Sequence, residues 1–150
     1  MQLQDITIAQ GFGVNVKSIA TSRNLHQKSN KAYANAMEDL LDTESEFTNR
    51  VEDFNNRLYN ENLPLLESAV INDNYYVYFP TVQLYDHVTN YSKSKLIEIV
   101  KAFVADALWS EYSANFNNAN YPIDENTFIE TAKNFVKDEC IQDIVDYTQY

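Results

Sequence analysis

Cysteine, glycine and proline are scarce in this chain: one, two and three residues among 150. A lone Cys140 cannot close a disulfide within the molecule. The fold must therefore hold by packing, and a free thiol fits a reducing, cytoplasmic compartment. So few glycines and prolines leave few enforced breaks in the backbone, which favours long helices. No run approaches the roughly 20 apolar residues needed to span a bilayer. The opening MQLQDITIAQG lacks the basic start and apolar stretch of a secretion signal.

Residues suited to catalysis are just as sparse. His26 sits in the polar, basic stretch RNLHQK, and His87 follows Asp86, where helical neighbours at i and i+1 point apart. Nothing cationic adjoins Cys140 to stabilise a thiolate. C-x-x-C, H-E-x-x-H, P-loop and G-x-G-x-x-G patterns are all missing, and GFG at 11–13 reads as a simple turn. NDNYY and IDENT carry the acids of a calcium loop without its glycine or spacing. The expectation is a protein without catalytic residues, metal site or cofactor: not an enzyme.

What the chain has is acid. Its formal net charge is −11, unevenly distributed. Residues 1–37 set Asp5 against Lys17, Arg23, Lys28 and Lys31, a net of +3. Residues 38–67 set nine acids against Arg50 and Arg57, a net of −7, and residues 124–150 carry a further −5. Direct binding to nucleic acid wants clustered lysine and arginine, and an anionic membrane would repel most of this chain. A basic protein is the natural electrostatic partner.

The composition, 45% apolar and 13% aromatic, suits a single domain over 1–150. Ile6 and Ile8, then Val14 and Val16, alternate with polar residues. That reads as a short β-hairpin or irregular arm within 1–28, the glycines at its turn. Residues 29–150 read as a mainly α helical bundle. Tyr33, Met37, Leu40, Phe47, Val51, Phe54 and Leu58, with Glu44 the one polar interloper, follow three- and four-residue steps close to a coiled-coil heptad. One long amphipathic helix, stopping near Asn60 or Asn62 ahead of Pro64, is the preferred account. Thr43 and Glu46 form a T-x-x-E capping box, so a second helix starting at Thr43 is the alternative. LPLLESAVI then reads as a short apolar helix, NDN as a turn and YYVYFP as a strand. Thr81 can cap a short helix carrying Leu84 to Tyr91. The stretch from Leu96 to Phe116 should be the buried central helix, and Asp124 should cap a last helix running through Phe128, Phe135, Ile141 and Val145.

Tyr75, Tyr76, Tyr78, Phe79, Tyr85 and Tyr91 crowd one short region. They suit either a half-buried layer with wet hydroxyls or an interface, with Tyr76 and Tyr78 as its anchors. The acids allow the same two accounts. Glu46–Arg50 and Asp53–Arg57 are favourable i,i+4 pairs on an ordinary solvated face. Glu38 and Asp42 are like charges at that spacing, with Asp39 and Glu44 around them and no lysine near. Glu139, Asp143 and Asp146 form a second helical stripe. Carboxylates at such steps lie about 5–6 Å apart along a helix, close to the spacing of phosphates on a nucleic-acid strand.

In size, charge, helical content and missing catalytic apparatus the chain resembles a class of small acidic proteins. These are the proteins by which phages and mobile elements block host nucleases, anti-restriction and anti-CRISPR DNA mimics among them. The resemblance implies a non-enzymatic inhibitor working in the host cytoplasm, blocking the basic nucleic-acid-binding surface of a nuclease or defence complex. Glu38, Asp39, Asp42, Glu52, Asp143 and Asp146 would be its steering charges. The alternative is a scaffolding protein, such as a phage assembly component, that forms a homodimer through the Met37–Leu58 seam.

Overall fold

The computed structural model describes residues 11–80, 93–116 and 121–144. The chain begins with strand β1 (Gly11–Asn15) and the short helix α1 (Val16–Ala20). A 3-10 turn (Lys28–Asn30) then leads into α2 (Lys31–Leu40), followed by α3 (Glu44–Asn60). Strands β2 (Glu67–Ile71) and β3 (Asn74–Pro80) precede the long α4 (Lys93–Ser113). Helix α5 (Glu125–Lys133), a 3-10 turn (Asp138–Cys140) and β4 (Ile141–Ile144) complete the order. Helices make up most of the regular structure, as a mainly α fold implies, but in place of a helical bundle with at most a short hairpin or arm they pack with an antiparallel sheet in the order β2-β3-β1-β4.

Local chemistry explains where the elements stop. Thr43 is extended (φ −138°, ψ 156°) and its hydroxyl accepts the Glu46 N–H at 3.0 Å. The capping box therefore starts a new helix, and the single long helix is replaced by two. At the other end of α3, Leu63 N–H bonds to Leu58 C=O at 2.9 Å and Asn62 N–H to Tyr59 C=O at 3.1 Å. Asn62 takes the left-handed φ of 57° that this Schellman closure needs. Asn72 and Asp73 have φ of 53° and 65°, a type I′ turn that folds β2 back on β3. The segment 67–71, read as helical, is thus the first strand of a hairpin.

Two further expectations change. Gly11 and Gly13 lie within β1, an inner strand of the sheet, and not at the tip of a hairpin. Ile6 and Ile8 lie outside the described residues. Asp124 does cap α5, accepting the Thr127 N–H at 3.1 Å, but that helix ends at Lys133. Residues 141–144 form a strand on β1 instead of continuing the helix.

One core collects all these pieces. The proposed heptad seam is buried throughout: Met37, Leu40, Phe47, Val51, Phe54 and Leu58 all join it. The seam serves the chain's own interior, so a homodimer through Met37–Leu58 finds no free apolar surface there. Helix α4 supplies Val100, Phe103, Val104 and Leu108, all fully buried, and packs on α2 and α5. β1 and β3 add Phe12, Val14, Val77 and Phe79 from the sheet. Each large side chain so buried contributes roughly 1.5–3 kcal/mol.

Candidate functional site

Helical periodicity divides the surface of α3 into two flanks. One carries Glu46, Arg50, Asp53 and Arg57 and faces α4, where Glu111 and Asp106 wait. The other carries Glu44, Glu52, Asn55 and Tyr59. Asn55 clamps the entry to β2, donating to Leu66 C=O at 2.8 Å and accepting Leu66 N–H at 2.9 Å. The second flank therefore runs beside the β2–β3 hairpin.

On the first flank the charges are matched. Arg50 reaches Glu46 at 3.2 Å, Glu111 at 3.3 Å and Asp53 at 3.8 Å. Arg57 contacts Glu61 and Asp106 at 3.9 Å each, so the expected Asp53–Arg57 pair is replaced. Glu111 is only 7% exposed. Burial, then the facing Glu46, push its carboxyl up from 4.5 to about 7 against the pull of Arg50. Glu46 moves the other way, held down first by the facing Glu111 carboxyl and then by Arg50, against its own partial burial. The two acids flank one guanidinium, each within 3.3 Å of Arg50 Nη2.

This arrangement has a measurable consequence. Glu111 holds its proton more tightly folded than unfolded, so its stabilisation is complete below about pH 4.5 and is lost as pH rises through about 7. Glu111→Gln, neutral at every pH, should gain on the order of 1–3 kcal/mol over the wild type between about pH 5 and about pH 8. Urea unfolding at the two pH values measures the difference. Parallel pH profiles would show that Glu111 titrates normally.

The second flank is different. Asp42 follows the end of α2, Glu44 opens α3, and Asp73 sits at the tip of the β2–β3 turn. The charges of all three are felt at Tyr75, whose ring meets Phe47 edge-on at 5.2 Å. Burial first, then the charges of Glu44, Asp73 and Asp42, push the Tyr75 hydroxyl above its ordinary range. Among the described residues no ion pair engages Asp42, Glu44, Glu52 or Asp73, nor Glu38 and Asp39 on the last turn of α2. Tyr59, 75% exposed, is the one large apolar side chain so exposed among the described residues.

The site residues expected from sequence are thus only partly gathered. Glu38, Asp39, Asp42 and Glu52 are all exposed, and Glu38 and Asp42 line one groove. Asp143 lies in β4, paired with Phe12 across the sheet, so the helical stripe it was to share with Glu139 and Asp146 does not form. Asp146 lies outside the described residues. Tyr78 is fully buried, its hydroxyl directed to Glu67 at 3.5 Å, which removes it as an interface anchor. Tyr76 is half-buried on the same strand. Asp73, Tyr75 and Tyr59 were not foreseen as site residues.

Among the described residues no group of three histidine, cysteine or acidic side chains could hold a metal ion. No helix among them is long and apolar enough to cross a membrane. Comparison with known protein families, known proteins and solved structures finds no match.

Proposed function

We propose that this is a non-enzymatic, cytoplasmic acidic binding protein that docks on the basic nucleic-acid-binding surface of a partner enzyme, such as a host nuclease, and blocks it. The observation that carries the reading is that Asp42, Glu44 and Asp73 all bear electrostatically on Tyr75, while no arginine or lysine among the described residues is paired to them. Glu38, Asp39 and Glu52 are further exposed acids without an ion pair among the described residues, and Tyr59 adds an exposed aromatic of the kind enriched at binding hot spots. Like charges brought together at a corner raise the local potential. Such potential steers association with a positive groove.

The face is a patch, not a straight row. α2 ends at Leu40 and α3 starts at Glu44, so the acids do not follow one helix at regular steps. The competition with nucleic acid would therefore come from shared field and occupied surface, with no copying of phosphate spacing.

The test is inhibition of DNA cleavage by a panel of purified restriction and RNA-guided nucleases. An inhibited enzyme should lose the inhibitor's protection as DNA is added. Association should slow steeply between about 50 mM and about 500 mM salt. The double change Glu44→Lys with Glu52→Lys should reduce the association rate about tenfold at the lower salt. No inhibition across the panel, or binding indifferent to salt, would remove the proposal.

A further inference from the structure

The basic residues of the N-terminal third also come together. A groove of about 600 Å³ opens between α1, the 3-10 turn and α2, lined by Lys17, Lys28 and Lys31 on one part and by Glu38 and Asp42 on another. Its floor includes Ala20, Ala34, Met37 and Leu41. None of the three lysines forms an ion pair with a described residue. The volume lies within the roughly 300–1,000 Å³ of small-molecule sites, far more than a lone phosphate ion would fill.

The order of charge along α2 is unusual. Lys28 and Lys31 stand at its amino-terminal end, with no acid in the first turn. Glu38 and Asp39 stand in the last turn, with no base there. A helix dipole favours the reverse placement by about 0.3–1 kcal/mol per charge. Helix stability gives no reason for this order. Side chains and backbone instead add to one field, positive at Lys31 and negative at Glu38, about 10 Å further along.

His26 completes one wall. Its Nε2–H donates to the Ala20 carbonyl at 2.6 Å, which ties the irregular 21–27 segment to the end of α1. The wall opposite α2 is therefore held in place before any ligand arrives.

From this groove we infer a binding site for a phosphorylated small molecule of nucleotide size, the nucleoside monophosphates being the class that fits. The phosphate would take Lys28 and Lys31, with Lys17 reaching from α1. The apolar floor would accept the body of the ligand. Glu38 and Asp42 would accept hydrogen bonds from donor groups at its far end. Lysine–phosphate contacts are charge-assisted and among the stronger hydrogen bonds available. A long nucleic acid is a poor fit, because its strand would leave the groove over the acidic corner. The groove shares Glu38 and Asp42 with the proposed acidic docking face, while Lys17, Lys28 and Lys31 belong to the groove alone.

Titrating the full ¹⁵N-labelled chain with adenosine monophosphate, adenosine and inorganic phosphate tests the site. The monophosphate should shift amide signals within residues 17–42, and each of the two fragments should bind about tenfold weaker. Lys28→Gln with Lys31→Gln, or Lys17→Gln alone, should weaken the monophosphate about tenfold while the spectrum remains that of a folded chain. Glu38→Gln should weaken the monophosphate and leave inorganic phosphate unchanged. No shifts, shifts elsewhere, inorganic phosphate binding as tightly as the monophosphate, lysine variants of unchanged affinity, or an oligonucleotide binding more tightly than either would each overturn the assignment.

Discussion

A single methyl group added at position 13 should destabilise the fold by about 3 kcal/mol, at the top of the range for overpacking. Gly13 lies in β1 directly across from Tyr78. A Cβ there would run into the Val77 carbonyl oxygen and come within 2.5 Å of both Tyr78 Cα and Cβ. Two of those three obstacles are backbone, so no rotamer change relieves them. The strands would have to part in the middle of the sheet, loosening the ladders on both sides of β1. Gly13→Ala should therefore show a large loss in urea unfolding, or fail to fold. Near-native stability would mean that β1 and β3 lie further apart than described.

Phe128→Ala should be comparably severe, at about 3–5 kcal/mol. The Phe128 ring is fully buried between Tyr33 from α2, stacked at a centroid distance of 4.4 Å, and Tyr112 from α4, stacked at 4.8 Å. Trp109 meets it edge-on at 5.5 Å. One ring therefore joins three helices. Removing it leaves a cavity whose walls are large flat rings, which cannot close over the gap by small movements. A melting temperature lowered by roughly 10 °C or more is expected, with Phe128→Leu falling between. A loss below about 1 kcal/mol would show that the cluster can collapse around the missing ring.

Much of the interior was legible from residue spacing, and the failures have physical causes. Seven seam residues from Tyr33 to Leu58 are buried as their periodicity implies. That continuity nevertheless concealed the break at Thr43. Two helices facing one core keep a common apolar phase whether or not the backbone is continuous between them. The T-x-x-E cap was the better guide. Ile141 and Ile144 fit a helical stripe as well as a strand, and what decides is the open edge of β1, more than 120 residues away in sequence. Glu38, Asp39, Asp42 and Glu52 could be picked out by local crowding. Asp73 stands two residues before Tyr75, but its nearness to Glu44 could not be read, since that depends on the docking of the hairpin on α3. Glu111 gave one faint signal, an acid in the last turn of the most apolar helix.

The sheet order carries a consequence for how this chain is made. β1, near the amino end, takes one neighbour from residues 74–80 and the other from residues 141–144. During synthesis its second edge stays bare until almost the whole described chain has left the ribosome. Pairings so distant in sequence are slow to close, on a scale of milliseconds to seconds where local helical contacts take microseconds. The nascent protein must carry an exposed strand edge while the residues between β1 and β4 are translated, and that interval is when it is most open to joining another chain instead of itself.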